Sequence, residues 1–225
     1  ALRFERFVVL TEEDRGYWEA GSPMPNICVI PNARTFGPLE KTAVQEGQNA
    51  VHTVLAVGRY NVQKAFDRLI EAWAKIGSRQ GWRLRLVGDG ELRGELQSLI
   101  DRLGLADSVV LGHAETDMRP VYAGADIYAM TSLYEGLPMV LLEAQASGLP
   151  IVAMACKCGP RDVITDGEDG YLVPEGDIDA MAARLQLLMD DAGLRCRMGQ
   201  AAYRSSGRFE REYVMEKWKA LLEGL

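Results

Sequence analysis

The sequence predicts an α/β protein organised around a doubly wound parallel sheet. Three observations carry this. From residue 51 onward, short runs rich in Val, Ile and Leu alternate with helical stretches. Each run is apolar on both faces, as a sheet covered on both sides requires. The interval between runs holds a helix, which is the βαβ pattern with its right-handed crossover. The expected strands are Thr53–Val57, Leu84–Val87, Val109–Leu111, Ile127–Met130, Ile151–Ala153 and Gly170–Val173. The expected helices cover residues 64–78, 91–103, 117–123, 138–147, 160–165 and 178–190. The outcome is a Rossmann-like sheet, and ligands of such sheets bind beyond the carboxyl ends of the strands.

Ahead of this unit, Phe7–Leu10 and Ile27–Ile30 read as two further strands around a helix. Thr11 is placed to cap that helix, and Glu12, Glu13 and Asp14 suit its positive end. Pro31-Asn32 ends the second strand. Residues 33–50 carry Gly37, Pro38 and Gly47 without periodicity and read as a loop or linker. After residue 207 the chain is helical again. Phe209, Tyr213, Trp218, Leu221 and Leu222 recur at helical spacing, with charged residues on the other face. That stripe either packs on its own domain or docks on a neighbouring one.

Composition narrows the function classes. The 225 residues carry a net charge of −7, which argues against a nucleic-acid-binding protein. With 48% hydrophobic and 25% charged residues, the balance is that of a globular domain. No run of about 18 apolar residues encodes a membrane span. The opening residues, charged from Arg3 onward, do not form a secretory signal. The first residue is Ala rather than Met, the expectation being a piece of a longer protein. Cys28, Cys156, Cys158 and Cys196 are too few to staple the chain, and Cys156-Lys157-Cys158 has no second ligand pair at zinc spacing. Reduced thiols in the cytoplasm are the expectation. His52 and His113 stand alone.

The most informative stretch is Glu135-Gly136-Leu137-Pro138-Met139-Val140-Leu141-Leu142-Glu143, two glutamates separated by seven residues. Glu135 falls in the loop after the fourth strand, and Pro138 opens the next helix. The N–H groups of Gly136, Leu137, Met139 and Val140 are then free at a positive helix end, an anion site fit for a diphosphate. Glu135 stands at the rim of that site. Glu143 lies about one and a half turns into the helix, where it reaches a second polar group such as a ribose diol. It sits among Val140, Leu141, Leu142 and Ala144, and a buried carboxylate needs a partner.

A second cluster lies on the same edge. Gly58-Arg59 follows the strand Thr53–Val57, and Lys64 opens the next helix. A guanidinium fork and a point charge together match a phosphate clamp. Gly88-Asp89-Gly90 is either a simple strand-to-helix turn or a neighbour of the ligand. His113, after Gly112, either lines a base pocket or is a surface loop histidine. Asp177-Ile178-Asp179 has a spacing used by metal-diphosphate sites, but its place before a helix makes it a cap, and no metal is expected.

In order and spacing, these motifs resemble the carboxyl-terminal, donor-binding half of retaining GT-B glycosyltransferases of the group 1, or family 4, type that build bacterial polysaccharides. Gly58-Arg59 with Lys64 resembles the donor clamp. Val87-Gly88-Asp89-Gly90 resembles the family's glycine turn, and Glu135 through Glu143 its paired-glutamate signature. The series continues through Ser147-Gly148-Leu149-Pro150, Gly159-Pro160-Arg161-Asp162 and Gly170-Tyr171-Leu172-Val173. Two positions depart: Ala65 replaces the usual glycine after the lysine, a change conservative in size, and Asp162 replaces a glutamate. By this resemblance, residues 1–33 are the end of an amino-terminal domain with the interdomain motif Val29-Ile30-Pro31-Asn32. Residues 34–50 are then a linker, 51–207 the nucleotide-sugar domain, and 208–225 a helix able to dock on the amino-terminal domain.

The resemblance implies transfer of a sugar from a nucleotide diphosphate sugar to a glycan or lipid-linked acceptor, with retention. A UDP-hexose or UDP-N-acetylhexosamine is the expected donor, with GDP second. Arg59, Lys64 and the helix start at Gly136–Val140 would neutralise the leaving diphosphate without metal or cofactor. Glu143 would hold the ribose, and Glu135 the donor sugar beside the reacting carbon. Attack is read as front-face and assisted by the leaving phosphate, so Glu135 is not a nucleophile. The acceptor would bind through the amino-terminal domain, and these 225 residues alone are expected to be inactive. Any membrane contact would be peripheral, at the inner face. The rival readings are a sugar-nucleotide epimerase of the same fold, which the motif series fits poorly, and a silent binding module.

Overall fold

The computed structural model describes residues 5–21, 26–37 and 51–224. Most of the expected linker, residues 38–50, lies outside them, as do residues 1–4 and 22–25 of the amino-terminal part and Leu225. The main body is a six-stranded, wholly parallel sheet. It is formed by β3 (His52–Val57), β4 (Trp82–Val87), β5 (Val109–Leu111), β6 (Ile127–Met130), β7 (Ile151–Met154) and β8 (Gly170–Val173), in the spatial order β5-β4-β3-β6-β7-β8. Strand order reverses between β3 and β6, so their carboxyl ends flank the crevice where open α/β sheets bind ligands. Ahead of it, β1 (Phe7–Val9) and β2 (Ile27–Val29) pair in parallel around α1 (Glu12–Gly21).

Alternation along each strand divides the core in two. Val54, Ala56, Ile127, Ala129, Val152 and Met154 face one layer. It is covered by α2 (Phe66–Lys75), α3 (Arg93–Arg102) and α7 (Ile178–Asp190). Leu55, Tyr128, Met130, Ile151 and Ala153 face the other. There α4 (Arg119–Ala123), α5 (Met139–Ala146) and α6 (Pro160–Val163) close the core. The long apolar aromatic of α2, Trp73, is fully buried and donates its indole N–H to Ser108 Oγ at 3.2 Å. Asp177 caps α7 by accepting from the Ala180 N–H at 2.8 Å, the capping role its position predicts. No helix among the described residues is long and apolar enough to cross a membrane.

Three features depart from the sequence reading. Lys64 does not open a helix: it ends a 3-10 turn, Val62–Lys64, and Ala65 then takes a left-handed conformation (φ 46°) before α2 begins at Phe66. The family's glycine at this position is therefore a matter of backbone conformation, and the alanine is not conservative in that respect. Second, a further helix, α8 (Ala192–Ser205), follows α7, capped by Asp191 through the Leu194 N–H. Its buried residues are Met198, Gly199 and Ala202, so a single large apolar side chain stands beside two small residues, too narrow a stripe to mark a helix in sequence. A Cβ at Gly199 would lie 2.4 Å from the Gly148 carbonyl oxygen, at the end of α5. Third, Phe209 belongs to a 3-10 turn, Ser206–Phe209, and is buried in the second core layer, whereas the last helix, α9, starts only at Arg211. Along Arg211–Glu223, Val214 is buried while Tyr213, Met215 and Leu222 are exposed.

Candidate functional site

The expected site residues collect at the carboxyl ends of β3 and β6. Gly58-Arg59 directly follows β3, and Arg59 is exposed there. A Cβ at Gly58 would meet the Lys64 side chain at 3.0–3.1 Å, so the absence of one makes room for the lysine's aliphatic stem. Lys64 Nζ donates to Glu135 Oε1 at 2.6 Å. Their side chains are only 17% and 9% exposed, which places Glu135 inside an ion pair rather than at an open rim. Such a pair holds because each charge offsets the other's loss of hydration.

Backbone bonds stitch the loops that carry the pair. Leu133 N–H donates to the Gln63 carbonyl at 2.8 Å, and Gln63 Nε2 donates to the Tyr134 carbonyl at 2.9 Å. Thr131 Oγ1 lies 3.1 and 3.0 Å from the carbonyls of Lys64 and Ala65. On the other side, the Glu135 N–H donates to the Lys157 carbonyl at 3.1 Å. The lysine and the glutamate are therefore set on a braced frame.

The helix start differs from expectation in register. Pro138 is the N-cap, with extended backbone, and α5 begins at Met139. Gly136 and Leu137 thus lie in the preceding loop, and Leu137 is buried. Met139 and Val140 supply the first two helix N–H groups, while that of Leu141 already donates to the Pro138 carbonyl. Gly159, at φ 96°, packs beneath this loop: a Cβ there would stand 2.4 Å from both the Gly136 carbonyl oxygen and Pro138 Cδ.

Glu143 is partly buried on α5, and each of its carboxylate oxygens has one donor. Tyr122 OH donates to its Oε2 at 2.7 Å and Thr35 Oγ1 to its Oε1 at 2.6 Å. Burial drives the Tyr122 phenol well above its ordinary value, the neighbouring Tyr128 and Glu143 adding to the effect, so it stays a donor. Sequence reasoning passed over both partners, because nothing in their spacing from Glu143 marks them. The same holds for Tyr60, which is buried with its hydroxyl 2.7 Å from the Gly112 carbonyl and 3.0 Å from that of Leu86.

Gly88 and His113 lie to the β4–β5 side. A Cβ at Gly88 would fall 1.9 Å from the Gly58 carbonyl oxygen, so this glycine lets the β3 and β4 loops touch. Asp89 bridges two loops: Oδ2 accepts the Ala114 N–H at 2.9 Å and Oδ1 lies 2.8 Å from His113 Nδ1. The Ala114 N–H first, and the His113 side chain next, hold the Asp89 carboxyl below its ordinary value. His113 itself is exposed. The Asp162 departure also finds its place: its Oδ1 accepts the Glu12 N–H at 2.7 Å, tying α1 to the sheet domain.

Comparison with known proteins bears on the family and the fold. The family model for glycosyl transferases group 1 matches residues 40–205. An amylovoran biosynthesis glycosyltransferase, AmsD of Erwinia amylovora, is 35% identical over 222 residues, 97% of this chain and 62% of that protein. Among solved structures, a TarM variant of S. aureus crystallised with fondaparinux, alpha-GlcNAc-glycerol and UDP superposes with a TM-score of 0.86 at 24% identity, over 97% of this chain and 44% of that one. Anabaena HepE in complex with UDP gives a TM-score of 0.87 at 22% identity, over 98% and 64%. The chain thus spans less than two thirds of each of these proteins. On the family match and the AmsD identity, supported by the shared fold, the chain belongs to the group 1 glycosyltransferases, on a sheet domain of GT-B type.

Proposed function

We propose that this chain binds the nucleotide diphosphate sugar for a retaining glycosyl transfer to a glycan or lipid-linked acceptor, with UDP as the nucleoside diphosphate. One observation carries the reading: Arg59, the Lys64–Glu135 pair and the start of α5 all follow the carboxyl ends of the adjacent strands β3 and β6, where the strand order reverses. The TarM and HepE structures are complexes with UDP, which supports the choice of base. In this reading the leaving diphosphate lies against Arg59, Lys64 and the N–H groups of Met139 and Val140, which stabilise its developing charge without a divalent metal. Glu135, freed in part when Lys64 turns to phosphate, accepts hydroxyls of the donor sugar. Glu143 accepts the ribose hydroxyls. His113 stands beside the base. Four free cysteines fit a reducing compartment, and the proposal places the reaction in the cytoplasm.

Titration calorimetry with UDP, GDP and their sugars, run with EDTA, tests the reading. Binding of UDP and UDP-sugars in EDTA is expected. Binding seen only with Mg²⁺ or Mn²⁺ overturns the metal-free clamp, and no binding of any nucleoside diphosphate overturns the site. Glu143→Ala should weaken UDP itself, whereas Glu135→Ala should cost UDP-sugar more than UDP. Equal losses for both ligands in both variants contradict the division of roles.

A further inference from the structure

Glu143 would hold a ribose diol only if its carboxylate were fixed in plane and direction, and two hydroxyl groups from distant parts of the chain do this. A carboxylate has two oxygens and about four lone-pair directions. Thr35 takes one on Oε1 and Tyr122 one on Oε2. One acceptor direction per oxygen remains, and a pair of acceptors at carboxylate spacing matches two adjacent hydroxyls, each donating one proton.

Both donors are themselves held. Tyr122 is fully buried on α4, its ring 6.0 Å from that of Tyr128 and 5.9 Å from that of Phe36. Thr35 lies between two anchors. On one side, Arg34 donates to Glu210 Oε1 at 2.8 Å and Ser206 Oγ at 2.9 Å, and its backbone N–H donates to the Phe209 carbonyl. On the other, Phe36 packs against the second core layer. Residues 34–36 therefore form a strap pinned to the turn before α9 and to α4, with the Thr35 hydroxyl delivered to Glu143 between the pins.

We propose that Tyr122 and Thr35 are positioning residues that aim the Glu143 carboxylate at the vicinal diol of the bound nucleotide's ribose. This rests on the reading above that Glu143 faces the ribose. Neither residue touches the ligand; each acts through Glu143.

The test compares UDP with 2′,3′-dideoxy-UDP by calorimetry on the 225-residue chain, with melting curves as a folding check. The parent should prefer UDP, and Glu143→Gln should remove that preference. Tyr122→Phe, which keeps the ring, and Thr35→Val, which keeps the shape, should each cut UDP affinity about tenfold while leaving dideoxy-UDP affinity unchanged. Thr35→Ser should restore it. If Glu143→Gln leaves the UDP preference intact, the ribose assignment fails and this inference fails with it. If Glu143→Gln removes the preference but Tyr122→Phe and Thr35→Val do not shrink it, the assignment stands and the positioning role is refuted. Tighter UDP binding in Thr35→Val would make Thr35 a competitor of the ribose, refuting its part. Equal losses for both ligands would reduce both residues to packing, and failure of the parent to bind UDP overturns both claims.

Discussion

Lys64→Ala removes two things at once: an ammonium expected to face a diphosphate, and the partner of a carboxylate that folding has already taken out of water. Glu135 keeps 9% of its side-chain surface and Lys64 17%, with 2.6 Å between Nζ and Oε1. Breaking a buried pair from one side leaves an uncompensated charge and costs roughly 3–5 kcal/mol. The space vacated by the lysine admits water to Glu135, so the lower end, about 3 kcal/mol, is expected. At ~2–4 °C per kcal/mol for a chain of this size, the melting midpoint should fall by about 6–12 °C. The double variant Lys64→Met/Glu135→Gln removes both charges and keeps the volume, and such replacements are often neutral. Most of the lost stability should therefore return. Affinity for UDP should not, because the charge-assisted phosphate contact is absent from single and double variants alike; a loss of about tenfold or more is expected in both. Differential scanning fluorimetry and calorimetry on the parent and the two variants decide the matter. A single variant melting within about 2 °C of the parent, or a double no more stable than the single, refutes the buried-pair argument. Unchanged UDP affinity removes Lys64 from the phosphate site.

Gly88→Ala should lower stability by about 3 kcal/mol in urea titration, since its Cβ has no room beside the Gly58 carbonyl oxygen, 1.9 Å away; an unchanged midpoint would mean that the two loops part easily. Phe209→Ala should cost roughly 3–5 kcal/mol and Tyr213→Ala close to nothing, because the first is 4% and the second 46% exposed. The reverse ranking would place Phe209 outside the sheet domain's core. Iodoacetamide at about pH 8, followed by peptide mass spectrometry, should label exposed Cys196 well before Cys156, whose thiol burial pushes up to about 12. Only the thiolate reacts, so labelling at Cys156 should rise roughly tenfold per pH unit between about pH 7 and 9. Equal labelling at pH 8 would contradict its burial.

The sequence alone was sufficient for the sheet. Runs such as Ile127–Met130 and Ile151–Ala153 fall in strands because a strand covered on both faces must be apolar at successive positions, and that is a local property. The positions of Lys64, Glu135 and Glu143 at strand ends and on α5 were legible for the same reason, being tied to short-range spacing. Three kinds of information were decided only in three dimensions. Ala65's left-handed backbone is held in a turn whose carbonyl is bonded by Thr131, 66 residues away. The helix α8 shows little periodicity because, beside Met198, its buried face is Gly199 and Ala202, and the glycine allows close approach to the Gly148 backbone. The partners of the two glutamates are remote in the chain. Glu135 finds Lys64 from 71 residues away, and Glu143 finds Thr35 from 108 and Tyr122 from 21. A buried carboxylate announces that it needs a partner, since leaving water unpaired is costly. Which partner it takes depends on the order in which parallel strands assemble, and that order is a property of the packed sheet.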